Sequence, residues 1–399
     1  YNDDVVSKIL PGAYNCLYIS SLKGGVRELN LTSGKLRNLL LKDENNESIY
    51  CRNLLFSTDN ELWIGTETGV YIYNLRTEKY THLRSSEYDP YSLSDNAIYS
   101  FCKDREDGIW IGSYFGGVNY YPRSYTNFEK YYPKGTENSL HGKRVREFCR
   151  DNHGVLWIGT EDGGLNRFNL NTKEFSFFAP SAGFTNIHGL CLVDDNLWVG
   201  TFSKGLKIID TRTGNILKTY QKNNSPRSLI DNSIFAISKT ATGDIYLGTM
   251  FGLVRYNKQS DDFDRIPELN GKFVYDIKED SDGNIWLATY ANGAYCYNVN
   301  DRKWKNYVHD EKDATSLPYN KVSSVFEDSH RQIWLTTQGG GFCLFHPESE
   351  TFTSYNSTNG LPSDVVYQIV EDKDGQLWLT TNNGLVCFQP TTASMKVYT

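Results

Sequence analysis

An all-β fold assembled from nine copies of one short unit is what this sequence predicts, and three observations predict it. The first is a recurring pentad: Leu62-Trp-Ile-Gly-Thr66, Ile109-Trp-Ile-Gly-Ser113, Leu156-Trp-Ile-Gly-Thr160 and Leu197-Trp-Val-Gly-Thr201. Weaker copies follow at Ile245-Tyr-Leu-Gly-Thr249, Ile285-Trp-Leu-Ala-Thr289, Ile333-Trp-Leu-Thr-Thr337 and Leu377-Trp-Leu-Thr-Thr381, and one precedes at Leu17-Tyr-Ile-Ser-Ser21. The second is spacing. Successive copies start 40 to 48 residues apart, the length of one four-stranded propeller blade. The third is composition: 28 Tyr, 20 Phe and 33 Gly against 2 Met suit strands, and no capped helical periodicity is sustained. The expected architecture is a β-propeller of four-stranded antiparallel blades, nine repeat units of about 40–48 residues.

Residues 96–132 illustrate the strands of one unit. Ala97 to Lys103 alternates as a first, inner strand, and Asp104-Arg-Glu-Asp-Gly108 supplies the side-chain bonds and positive φ of a turn. Ile109 to Ser113 is the second strand, Phe115-Gly-Gly117 a turn, Val118 to Tyr121 the third strand and Phe128 to Tyr132 the outer one. Blades bury both faces against their neighbours, so the motif residues Trp63, Trp110, Trp157, Trp198, Trp286, Trp334 and Trp378 are expected to pack between blades. The glycine after each motif is read as a backbone requirement.

Charge and cysteine content exclude several functions. Lys plus Arg number 41 against 48 Asp plus Glu, a net of −7, which gives no basic field for nucleic acid. No stretch reaches the ~20 apolar residues of a membrane-spanning helix, so no membrane contact by these residues is expected. The eight cysteines fall singly, without C-x-x-C spacing, and read as buried small hydrophobes, with inter-blade disulfides as the alternative. Seven histidines make no H-x-x-H or H-E-x-x-H pattern, so neither a metal nor a cofactor is expected.

The repeats resemble those of the two-component regulator propeller family, which read (D)-x-x-G-x-(I/L)-W-(I/L)-G-T-x-x-G-(L/V). Asp372-Lys-Asp-Gly-Gln-Leu-Trp-Leu-Thr-Thr-Asn-Asn-Gly-Leu385 and Asp104 to Ser113 are close matches, and the resemblance covers essentially the whole chain. It implies the periplasmic sensor region of a hybrid two-component system, in which two propellers and an immunoglobulin-like domain precede a membrane helix, histidine kinase and response regulator. Such sensors regulate polysaccharide use, often by binding oligosaccharides. The chain reaches Thr399 without those later parts, so a sensor fragment is expected. Seven-bladed rings imply two blades over residues 1–90, as the remnant of a preceding ring, and a seven-bladed propeller over 91–399. The alternative is one larger closed ring over 1–399.

In a propeller, the connection between blades and the turn between strands two and three share one face, and ligand groups are expected there. Here those segments are Ser92 to Asn96, Ser139 to Arg144, Thr185 to His188, Ser228 to Asn232, Ser316 to Asn320 and Gly360 to Asp364. Tyr114, Phe115, Phe202, Tyr290 and Asn292 accompany them. Aromatic faces with amides suit a sugar. Arg144 and Arg146, beside Lys143, are the densest cationic signal and suit an acidic group, and His188 lies where an inner strand begins. Asn96, Asn232 and Asn320 occupy matching places, which argues for capping before ligand contact.

Three functional classes follow. The first is a non-catalytic receptor whose ligand shifts the placement of adjoining sensor domains. The second is a propeller-based polysaccharide lyase or hydrolase, for which Glu161, Asp162, His188 and Tyr290 are the imaginable acid/base set. The third is a protein-interaction scaffold or homodimer.

Overall fold

The structure, a computed structural model, describes residues 4–89, 91–123, 129–135, 138–178, 184 and 186–398. Among these, eight four-stranded sheets and one three-stranded sheet occur, each an antiparallel meander. They span residues 6–40, 51–83, 98–121, 145–178, 187–220, 234–265, 274–307, 322–355 and 366–398, and are numbered one to nine here. Helical content among the described residues is two short 3-10 turns, Pro267–Leu269 and Ser357–Asn359. These are propeller blades.

The third sheet departs from the expected pattern. Phe128 lies outside the described residues, and residues 129–132 form no strand. Tyr132 instead packs edge-on to Tyr91, with ring centroids 5.5 Å apart, and Lys130 covers the other ring. Thr185 also lies outside the described residues.

Two compact units are present, Tyr1–Gly135 with sheets one to three and Thr136–Thr399 with sheets four to nine. This division falls one sheet later than the residue-90 boundary read from the repeat count. The third sheet stays with the second because its first strand, Ile98–Lys103, packs on Cys51–Thr58. Trp63 also closes edge-on against Phe101 and Tyr121.

Within each unit every adjacent pair of sheets encloses its own apolar cluster. The motif tryptophan is covered by the sheet that follows it. Trp157 lies among Ile187, Leu190, Leu197 and Val199 of the fifth sheet, and Trp286 and Trp334 meet Phe345 and Phe388. Trp63, Trp157, Trp198, Trp286 and Trp334 are therefore buried. Trp110 departs from the packing expectation, being 45% exposed, and Trp378 is partly exposed. Each stands on the last sheet of its unit, where no following sheet of that unit covers it.

Two motif details explain themselves physically. The turn aspartate six residues before tryptophan accepts the indole N–H as well as turn N–H groups. The pairs are Trp110–Asp104, Trp157–Asp151, Trp286–Asp280, Trp334–Asp328 and Trp378–Asp372. The closing threonine donates its hydroxyl to the carbonyl of the following glycine, as Thr160 does to Gly164 at 2.9 Å, so a buried hydroxyl is satisfied. That glycine has positive φ in every sheet from the second on, and a Cβ on Gly205 would lie 2.1 Å from the Tyr220 carbonyl oxygen. All eight cysteines are free thiols, most of them buried.

Candidate functional site

The first strand of every sheet carries a β-bulge at the same place. Pairing with the second strand skips one residue: Ser7, Arg52 and Tyr99 in the first unit, and Arg146, His188, Phe235, Tyr275, Ser323 and Tyr367 in the second. A bulged residue leaves the ladder and its side chain is re-aimed. In the second unit these side chains converge. The Arg146 Nη2 donates to the Tyr275 hydroxyl at 2.8 Å, three sheets further on, so the first strands curve around a common channel.

The mouth of that channel has an aromatic wall. His188 lies 4.6 Å from Phe235, which lies 4.4 Å from Phe273 and is stacked on Tyr275 at 5.8 Å. Phe273 stacks in turn on Tyr290 at 5.2 Å, and Lys321 sits 4.1 Å above the Tyr290 ring. Phe202 closes the other side against His188 at 5.8 Å. Tyr290 and Phe202 keep 43% and 39% of their surface exposed, so their faces are available for stacking.

Glu161 sits between the two arginines, 3.4 Å from Arg146 Nε and 3.6 Å from Arg144 Nη1. Arg144, with a side chain 75% exposed, is a rim residue, and Arg146 is the inner one. Burial and the positive charge of Arg146 push the His188 imidazole down to about 4, so it is neutral at pH 7. Its Nε2 meets Asn186 Oδ1 at 2.7 Å, whereas the buried Nδ1 has no partner among the described residues. Asp162 is committed to structure: its carboxylate accepts the backbone N–H groups of Lys143 and Arg144, which helps hold it below the usual range.

One residue deeper, two carboxyl groups line the channel. Burial, then the nearby charge of Asp276, pushes Glu147 up to about 8, so it carries a proton at neutral pH. Asp276 is raised by its own burial, partly offset by the N–H groups of Val325 and Ile277.

Of the site residues expected from sequence, the fold brings together Arg144, Arg146, His188, Phe202 and Tyr290. Asn292 is two residues from Tyr290, with its backbone N–H held by the Thr289 hydroxyl at 3.0 Å. Tyr114 and Phe115 belong to the first unit. There Tyr114 stacks on Tyr99 at 5.0 Å, Arg52 lies 4.2 Å above the Tyr99 ring, and Phe115 is 87% exposed. Asn96, Asn232 and Asn320 accept the backbone N–H groups of Ser85, Lys222 and His309, so each caps the end of a preceding outer strand. Phe235, Phe273, Tyr275 and Lys321 were missed. The signal for Phe235 and Tyr275 was their register with His188, second in its strand, which a reading of loops stops short of.

Comparison with known proteins bears on this arrangement. The family described as "Two component regulator propeller" matches at residues 92–115, 139–162, 268–291 and 360–383. Each match runs from the inter-blade loop through the bulged strand to the end of the tryptophan strand. Histidine kinase P4 of Formosa agariphila is 29% identical over 151 residues, which are 38% of this chain and 8% of that protein. The extracellular domain of the hybrid two component system BT3049 from B. thetaiotaomicron is 22% identical, with a TM-score of 0.47, over 99% of this chain and 57% of that one. Virginiamycin B lyase from Staphylococcus aureus, solved with quinupristin as an inactive variant, aligns at 15% identity and a TM-score of 0.51. That alignment covers 66% of this chain and 84% of the lyase. The chain thus spans a small part of the kinase and little more than half of the extracellular domain.

Proposed function

From the premise that this chain belongs to the two-component regulator propeller family, we propose that it is a periplasmic ligand-sensing region of a hybrid two-component system. The ligand is an oligosaccharide, held at the channel mouth of the second unit. Its binding regulates polysaccharide use through a kinase region elsewhere in the protein. The observation that carries this reading is the convergence of Arg146, His188, Phe202, Phe235, Tyr275 and Tyr290 from four sheets on one mouth. Aromatic faces accept the apolar side of a sugar ring, while the arginine N–H groups and amides meet its hydroxyls.

The reading is of a receptor without chemistry of its own. Asp162 is spent on backbone N–H groups and Glu161 on arginine, which leaves the imagined acid/base set without an assembled pair. The likeness to the lyase is one of fold, and fold does not specify activity. Signalling then requires that the ligand bind one arrangement of adjoining sensor domains, or of a homodimer, better than another.

Calorimetric titration with plant and host glycan fragments tests the proposal. Saturable binding is expected. Arg146→Ala should weaken it at least about tenfold, since a charged hydrogen bond contributes about 1.5–3 kcal/mol. Failure of the whole panel to bind, or an unchanged affinity in Arg146→Ala, would overturn this site.

A further inference from the structure

The fifth sheet breaks the tryptophan rule of the fold. Six of the seven motif tryptophans give their indole N–H to a carboxylate within their own sheet. Five use the turn aspartate, and Trp63 uses Glu61, two residues before it, at 2.9 Å. Trp63 needs that substitute because its sheet has a short turn, with Thr58 paired directly to Glu61. The fifth sheet also has a short turn, with Val193 paired to Asn196 and Asp194 at φ 57°. The residue two before Trp198, however, is Asn196 rather than glutamate. The Asn196 backbone belongs to the ladder, but neither its side-chain amide nor the Trp198 indole N–H has a hydrogen-bond partner among the described residues.

A cavity of about 620 Å³ opens where that carboxylate would lie, between the fifth and sixth sheets, on the edge opposite the channel mouth. Trp198, Ile208 and Ile245 form its apolar floor. Lys218, Lys239, Arg255 and Lys258 line it, against the carboxylates of Asp194 and Asp244. Asp194 is held by Lys239 at 2.9 Å, and Asp244 is 3.9 Å from Arg255. Lys218 is paired with Asp261 at 2.7 Å, and Arg255 lies 3.5 Å from Asp264 as well, whereas Lys258 acts on Asp194 from beyond 4 Å and closes no ion pair among the described residues. Asn196, Asn257 and Gln259 add amides around the wall. Such a volume lies within the range of small-molecule sites, roughly 300–1,000 Å³.

We propose that this cavity is a second binding site, independent of the channel mouth, for a small polyhydroxylated carboxylate the size of a sugar acid. The carboxylate takes the place that Asp151 or Glu61 fills beside the other tryptophans. It accepts from Trp198 Nε1 and is met by the Lys258 ammonium, the one cation of the lining without an ion pair within 4 Å among the described residues. The hydroxyls meet the amides.

The experiment is calorimetric titration of the full chain with galacturonate and, in parallel, galactose. Galacturonate should bind saturably and galactose at least tenfold more weakly, which isolates the carboxylate. Asn196→Glu rebuilds the arrangement of the second sheet. It should cut galacturonate affinity at least tenfold while the thermal midpoint holds or rises. Lys258→Ala, at an exposed position, should cut affinity severalfold, and Arg146→Ala should leave it unchanged. Absence of saturable galacturonate binding, equal affinity for galactose, or undiminished binding by Asn196→Glu overturns the proposal. Loss of binding in Arg146→Ala overturns it too, by moving the ligand to the channel mouth.

Discussion

Trp157→Ala should lower unfolding stability by about 3–5 kcal/mol, whereas Trp110→Ala should cost about 1 kcal/mol or less. The two residues hold the same motif position on corresponding strands, and each donates to the turn aspartate of its own sheet, so the difference isolates coverage by a following sheet of the same unit. Trp157 is fully buried, stacked on Phe178 at 5.6 Å and enclosed by the fifth sheet. Removing it opens a cavity and strips the indole donor from Asp151, itself buried. Trp110 leans on Tyr120 of its own sheet at 4.7 Å with the outer side open. Denaturant unfolding of both variants, followed by signals from each unit, makes the comparison. Equal losses would sink the account of blade packing.

Glu147→Gln should stabilise the protein at alkaline pH and leave it nearly unchanged at pH 4.5. The folded-state value of about 8 lies above the ordinary 4.5, so between those limits the fold holds a proton that the unfolded chain has released. Stability therefore falls as pH rises from about 4.5 through 8. At 1.36 kcal/mol per pH unit, reduced for the solvent that reaches the channel, the gain at pH 8.5 is about 2–4 kcal/mol. His188 works in the opposite sense. Its depressed value means that stability is lost as pH falls from 6.5 toward 4, so the wild type should be steadiest at intermediate pH. Thermal midpoints at pH 4.5 and 8.5 decide the matter, and an equal shift at both would refute the role of Glu147 ionisation.

Architecture was legible because it is written nine times. A pentad with tryptophan, in seven of its nine copies, at the second position defines a strand buried on both faces, and the glycine and Asp-x-x-Gly turns around it punctuate the remaining strands. The third sheet shows the limit of such reading: Phe128-Glu-Lys-Tyr-Tyr132 has strand composition, yet Tyr132 finds Tyr91 in place of a ladder. The exposure of Trp110 and Trp378 was equally hidden, since the pentad reads the same whether or not a later sheet of the same unit covers it. For the site, loop position pointed to Arg144, Arg146, His188, Phe202 and Tyr290. It did not reveal that Tyr114 and Phe115 sit in another compact unit, nor that Phe235 and Tyr275 face the same mouth. Those depend on how far the first strands curve, a property of sheet twist and packing and not of any local pattern.

The bulge repeated in all nine first strands separates recognition from construction. The skipped residue contributes nothing to the ladder and little to the apolar clusters, so Arg, His, Phe, Tyr and Ser all occupy it without disturbing the blades. A lineage can rewrite such positions one at a time, at small thermodynamic risk, and arrive at a chain of unchanged shape with a chemically different channel mouth. Grafting the six letters of one mouth onto the frame of another is the corresponding engineering route.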